Sequence, residues 1–86
     1  MQSHHNPSDP VLRIAKVIEE YLSKYPMASD NLEGVMAWWL GHQIMLPRTD
    51  LVQTALDFLV TEGRLARRTH LSGTVYFGAG IRGEAD

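Results

Sequence analysis

The side chains best suited to binding chemistry in this sequence are arginines in its second half. Arg64, Arg67 and Arg68 fall within five residues, and Arg48 lies further upstream. Concentrated positive charge can neutralise phosphate groups, and what binds is a local patch rather than the net charge. The whole chain has 8 Lys and Arg against 10 Asp and Glu, a formal net charge of -2. Many nucleic-acid binders are basic overall, but this chain has a small net negative charge. Any affinity for phosphate would therefore have to come from this cluster.

Groups that could perform catalysis or hold a metal are few. The serines and threonines lack a histidine and a carboxylate in any recognisable catalytic order, and no glycine-rich phosphate loop occurs. The histidines have neither the i, i+4 spacing nor the cysteine partners that are common in zinc sites; they are His4, His5, His42 and His70. We therefore expect no enzymatic activity, no cofactor and no metal site.

The length and composition predict one small domain. At 86 residues there is room for a single core, and we expect a flexible arm over 1–8, a folded domain over 9–77 and a flexible tail over 78–86. No segment approaches the roughly 20 apolar residues that cross a membrane. The N-terminus lacks the apolar stretch of a secretory signal, and there is no cysteine. These features favour a cytoplasmic protein without membrane contact.

The first part of the chain predicts a helix between two local signals. Ser8, Asp9 and Pro10 form a start signal, a capping side chain followed by proline at the first helical position. Pro26 ends the helix, because the residue before a proline avoids the helical region. The apolar positions recur at helical spacing and define a buried face, namely Val11, Ile14, Ala15, Ile18, Tyr21, Leu22 and Tyr25.

A second helix follows, and it carries two adjacent tryptophans. Asp30 and Glu33 have the spacing of a capping box, and Gly41 ends the helix. Its buried stripe consists of Leu32, Val35, Met36, Trp39 and Leu40. Trp38 points roughly 130° away from the centre of this stripe, at about 100° per residue. Trp38 is therefore predicted to lie outside the core.

The segment from Thr49 to Phe77 predicts a helix and a hairpin. Its helix stripe has the spacing i, i+3, i+4, i+7 and consists of Val52, Ala55, Leu56 and Leu59. Gly63 is a typical helix stop. An extended run begins at Leu65, Ser72-Gly73 supplies the turn, and strand formers follow at 74–77.

This order of elements resembles the winged helix-turn-helix domain over residues 10 to 77. The residues that carry the resemblance are the A-L-x-x-L, G-x-L and Y-F patterns of the helix, its stop and the second strand. The resemblance implies an α+β fold with three helices and a two- or three-stranded β wing, in which Met27-Ala28 is a short extended link that can add the third strand. The connection from Gly41 to Pro47 is longer than the 3–4-residue turn of a minimal helix-turn-helix, which is a departure from the pattern.

By this resemblance the chain is a small DNA-binding protein, a transcriptional regulator that binds double-stranded DNA. Residues near the start of the recognition helix reach base edges in such domains, and here they are Arg48, Thr49, Gln53 and Thr54. The wing would contact the DNA backbone or minor groove through Arg67, Arg68, Thr69, His70 and Ser72. The alternative for the two adjacent arginines is that they only solubilise an edge strand. Asp50 and Asp57 on the same helix would repel phosphates.

The competing hypothesis is a winged helix that serves as a protein-interaction or assembly module without binding DNA. A tryptophan outside the buried stripe is a candidate interface anchor, which points to Trp38. The connection that follows is unusually apolar at Ile44, Met45 and Leu46, and these residues could extend the patch or fold back over the tryptophan. Under this hypothesis the chain forms a homodimer, or a complex with another protein, through the second helix.

Overall fold

The computed structural model describes residues 8–41, 43–44 and 47–79. Over these residues the chain is α+β, with three helical segments and a three-stranded antiparallel sheet. The second helical segment begins as a short α-helix and continues as a π-helix. In chain order the elements are α1 (Asp9–Lys24), β1 (Ser29–Asp30), α2 (Leu32–Gly34), π1 (Val35–Trp39), α3 (Thr49–Thr61), β2 (Leu65–His70) and β3 (Gly73–Gly78).

The first helix ends before Pro26 as predicted, but it begins at Asp9, one residue before the predicted first helical position at Pro10. Ser8 is the N-cap residue by its extended backbone, although its side chain makes no capping hydrogen bond. The predicted face is buried at Val11, Ile14, Ala15 and Ile18, and Val17 is buried as well. Tyr25 is 55% exposed, so its assignment to the buried face was wrong. The reason is that Tyr25 is the C-cap residue beyond the end of the helix at Lys24, where its ring contacts Tyr21 at 4.7 Å and not the core cluster.

The predicted cap of the second helix was wrong by one residue. The side chain of Asn31 accepts a hydrogen bond from the backbone N–H of Gly34 at 2.9 Å, which makes Asn31 the N-cap. Asp30 instead belongs to β1, where it pairs with Tyr76 of β3. Asp30, which the local pattern predicted as the helix cap, is therefore part of a β-strand instead. The segment ends as expected at Gly41, which has φ 54°.

The third helix and its stop follow the prediction. The predicted stripe is buried throughout, at Val52, Ala55, Leu56 and Leu59. After the helix, the N–H of Gly63 bonds to the carbonyl of Val60 at 3.1 Å, and the N–H of Arg64 bonds to that of Leu59 at 2.9 Å. This pair of bonds is the Schellman arrangement, and it requires the left-handed backbone that Gly63 adopts at φ 76°.

The sheet has the strand order β1-β3-β2. The hairpin strands pair from Leu65 opposite Gly78 to His70 opposite Gly73, so the turn consists of Leu71 and Ser72, one residue earlier than predicted. The third strand forms at Ser29–Asp30, just after the predicted extended link at Met27-Ala28. The last residue of β3, Gly78, is buried.

One apolar core lies between the helices and the sheet. It receives side chains from α1, π1, α3 and the sheet, and its fully buried large members are Ile18, Val35, Leu40, Val52, Leu56 and Leu59. Tyr76 of β3 lies in the same cluster. None of the described helices combines the length and the apolar character needed to cross a membrane.

Candidate functional site

A polar groove of about 650 Å³ lies between α3 and the β2–β3 hairpin. Inside it, Nε2 of Gln53 donates hydrogen bonds to the Tyr76 hydroxyl at 2.8 Å and to Oδ1 of Asp57 at 3.1 Å. Nη1 of Arg67 donates to the same Asp57 oxygen at 2.9 Å. The structure therefore brings together two of the predicted DNA-binding residues, Gln53 and Arg67, but both are engaged with a carboxylate of the protein itself.

The start of α3 shows the same internal pairing. Arg48 forms a two-pronged ion pair with Asp50, with Nε to Oδ1 at 3.1 Å and Nη2 to Oδ2 at 2.7 Å. The hydroxyl of Thr54 donates to the backbone carbonyl of Asp50 at 2.9 Å, and that of Thr49 points to the sulfur of Met36 at 3.8 Å. The ion pair is exposed, and such pairs contribute about 0–1 kcal/mol, so its guanidinium can be exchanged to another partner.

The two adjacent hairpin arginines lie on opposite faces of the sheet. Successive side chains of a strand alternate between faces, and Arg67 faces the groove beside α3. Arg68 and His70 instead line a shallow cleft on the other face. There the guanidinium carbon of Arg68 lies 5.9 Å from the centre of the Phe77 ring, a cation–π contact. A further arginine of the cluster, Arg64, is paired with Glu19 of α1 at 2.9 Å.

As a result, the predicted arginine patch is divided. Three of its guanidinium groups are paired with carboxylates, and the fourth, that of Arg68, faces away from α3. The described residues therefore do not present these arginines as one continuous cationic surface. Sequence spacing could not reveal this, because two of the three acidic partners come from other elements.

A second groove, of about 710 Å³, lies between the end of α1 and π1. We call it the aromatic groove, and its principal residues are Glu20, Tyr21, Lys24, Tyr25, Trp38 and Trp39. The rings of Tyr21 and Tyr25 have centroids 4.7 Å apart, and Tyr21 stacks on Trp39 at 5.4 Å. Trp39 is 3% exposed and anchors these rings to the core, whereas Trp38 is 70% exposed.

The position of Trp38 outside the core is confirmed, and the structure adds Tyr25 to the same surface. Tyr25 was not predicted to belong to this surface, because the predicted buried face of the first helix extended one residue too far. The proline at 26 was the signal that could have located it, since the helix had to end before that residue. Together the two side chains give the groove an exposed aromatic rim.

Of the predicted apolar connection after π1, Ile44 lies among the described residues. Ile44 is half-buried and packs against the core cluster. Met45 and Leu46 lie outside the described residues. Trp38 retains its exposure beside the described part of this connection, so Ile44 does not cover it.

Possible metal ligands are scattered. In the parts of the chain that the structure describes, no group of three or more histidine, cysteine, aspartate or glutamate side chains is placed to hold a metal ion. His70 ends β2, and His4, His5 and His42 lie outside the described residues.

No protein family, curated protein or solved structure matches this chain. Any functional assignment must therefore be argued from the two grooves and the charges around them.

Proposed function

We propose that this chain is a winged-helix protein-interaction module that docks a partner protein through the aromatic groove. The order of elements supports the fold assignment: three helical segments with a short strand after the first, then a hairpin whose second strand is central in the sheet. The observation that carries the function is the exposure of Trp38, at 70%, beside Tyr25.

The energetic argument is that exposed aromatic surface gains most from burial by a partner. A large aromatic side chain buries about 150–250 Å². At about 25 cal/mol per Å², complete burial of this area is favourable by at most about 4–6 kcal/mol, and only the surplus over the entropic and desolvation costs of association appears as affinity. Trp38 has most of this gain still available, because most of its surface is outside the core. Tryptophan and tyrosine are also enriched among the residues that dominate binding energies at interfaces.

The experiment is site-specific photo-crosslinking of the full chain in the cells that produce it. A benzophenone amino acid is placed at Gln43, an exposed residue of the groove lining, so that Trp38 and Tyr25 are kept. The matched control is a probe at Leu71, which is fully exposed at the tip of the hairpin and outside the aromatic groove. We expect discrete protein adducts from position 43 that position 71 does not give, and we expect them to be lost when Trp38→Ser is added. Identical adduct patterns from positions 43 and 71 would contradict the proposal.

A second proposal, DNA binding by a regulator, has a specific observation in its favour. The α3 helix and the hairpin face a common groove, and neither Arg68 nor His70 has an acidic partner among the described residues. Two observations oppose it: Asp50 and Asp57 hold Arg48 and Arg67 on the α3 side, and Arg68 and His70 line the opposite face of the sheet. DNA binding would require phosphates to compete with both carboxylates.

This second proposal is tested by titrating a fluorescent pool of duplexes at low salt. Arg68→Ala should weaken binding to all sequences and reduce the salt dependence by about one unit of slope, as loss of one phosphate contact does. Gln53→Ala should alter sequence preference instead. Asp57→Asn should strengthen binding, because it removes a negative charge and releases Arg67. Absence of binding by the wild-type protein at high micromolar concentration would exclude this role.

A further inference from the structure

The geometry points to a second copy of this chain as the occupant of the aromatic groove, in a dimer with twofold symmetry. This inference rests on the proposed function, since it names the partner for the same surface. It is carried by the two charged residues of the groove, Glu20 and Lys24.

These two residues are the charged members of the groove lining among the described residues, and they have opposite signs. Glu20 and Lys24 are four residues apart on α1, a spacing that favours an ion pair on a helix. They nevertheless form no ion pair with each other or with any other described residue. Within the described part of the chain, the groove thus offers one anion and one cation without an ion-pair partner, beside an uncharged aromatic rim.

Twofold symmetry satisfies both charges at once. In such an interface the same surface meets itself, so that residue i contacts residue j of the partner and residue j contacts residue i. With the ends of the two α1 helices antiparallel, each Glu20 would face the other copy's Lys24. A strongly acidic or basic partner would pair with one of the two groups and be repelled by the other.

The aromatic side chains fit the centre of this arrangement. Trp38 and Tyr25 are the exposed rings of the groove, and Tyr25 packs on Tyr21, which in turn stacks on the buried Trp39. Aromatic residues at the centre with charged groups at the rim are the usual organisation of a protein interface. The core beneath Trp39 holds this surface in place before association.

The test is sedimentation velocity of the full chain with reciprocal charge reversal. We expect the wild type to dimerise, and Glu20→Lys and Lys24→Glu each to raise the dimer dissociation constant about tenfold, because two attractive contacts become repulsive. An equimolar mixture of the two variants should dimerise again, since the lysine introduced in one variant would face the glutamate introduced in the other. As a matched control, Lys16→Glu changes the charge of α1 outside the groove and should leave the dimer intact.

Each outcome bears on the inference. Trp38→Ser should abolish the dimer with an unchanged circular dichroism spectrum, and if that variant unfolds, the mixture experiment still decides. A monomeric wild type throughout the micromolar range overturns the inference, as does a mixture that stays monomeric. If the wild type is monomeric but the probe at position 43 crosslinks to a different protein, the second copy is wrong and the interaction function stands.

Discussion

At the scale of single residues, the most informative site is the junction between β1 and α2. The carboxylate of Asp30 accepts the N–H of Asn31 at 3.0 Å, and the Asn31 side chain caps α2 through the N–H of Gly34. A Cβ atom added at Gly34 would overlap the Asp30 carboxylate. Glycine at position 34 therefore leaves room for the carboxylate of Asp30 from β1.

This contact predicts a strong coupling between positions 30 and 34. Gly34 has an ordinary helical backbone, at φ -66° and ψ -38°, so alanine fits its conformation. In an Asp30→Ala background, Gly34→Ala should stabilise the protein by up to about 1 kcal/mol, the usual helix preference for alanine. In the wild-type background, the same change displaces the carboxylate and should give no gain or a loss. Urea unfolding of the four proteins measures the coupling, and additive effects would show that the carboxylate moves away freely.

At the scale of elements, π1 gives two neighbouring tryptophans opposite environments. Its characteristic bond runs from the N–H of Leu40 to the carbonyl of Val35 at 3.1 Å, a span of five residues. Trp39 then points into the core, where it stacks on Tyr21, and Trp38 points outward beside Tyr25. Short π-helical turns are often found at functional sites, and here the turn forms one wall of the aromatic groove. The element thus joins a tryptophan packed in the core, Trp39, directly to an exposed one, Trp38.

At the scale of the whole molecule, stability depends on one core that every layer shares. Leu56 is fully buried in the centre of α3 and belongs to the cluster that includes side chains of α1, π1 and the hairpin. Small domains have free energies of unfolding of about 5–15 kcal/mol, so the contacts of one fully buried side chain account for a large part of that free energy.

We therefore expect Leu56→Ala to lower the free energy of unfolding by about 2–5 kcal/mol, as large-to-small changes in cores do. The matched control is Leu12→Ala on α1, where the side chain is 42% exposed and the loss should be much smaller. Chemical denaturation compares the two midpoints. Equal effects of the two substitutions would mean that α3 does not bury the predicted face.

The sequence by itself determined the features that depend on neighbouring residues. The end of α1 before Pro26, the buried stripe of α3, the stop at Gly63 and the outward position of Trp38 all follow from apolar spacing and from local proline and glycine signals. These signals act within one or two turns of chain, where helical geometry fixes which side chains share a face.

The tertiary structure decided the features that depend on which elements become neighbours. Asp30 pairs with β3 and is not the cap of α2. The ion pairs of Arg64 with Glu19 and of Arg67 with Asp57 join residues that are 45 and 10 positions apart in the sequence. The division of the arginine patch follows from these contacts and from the alternation of strand side chains. The reason is that periodicity specifies the face on which a side chain lies, whereas the partner of that face is set only when helices and sheet pack around a common core.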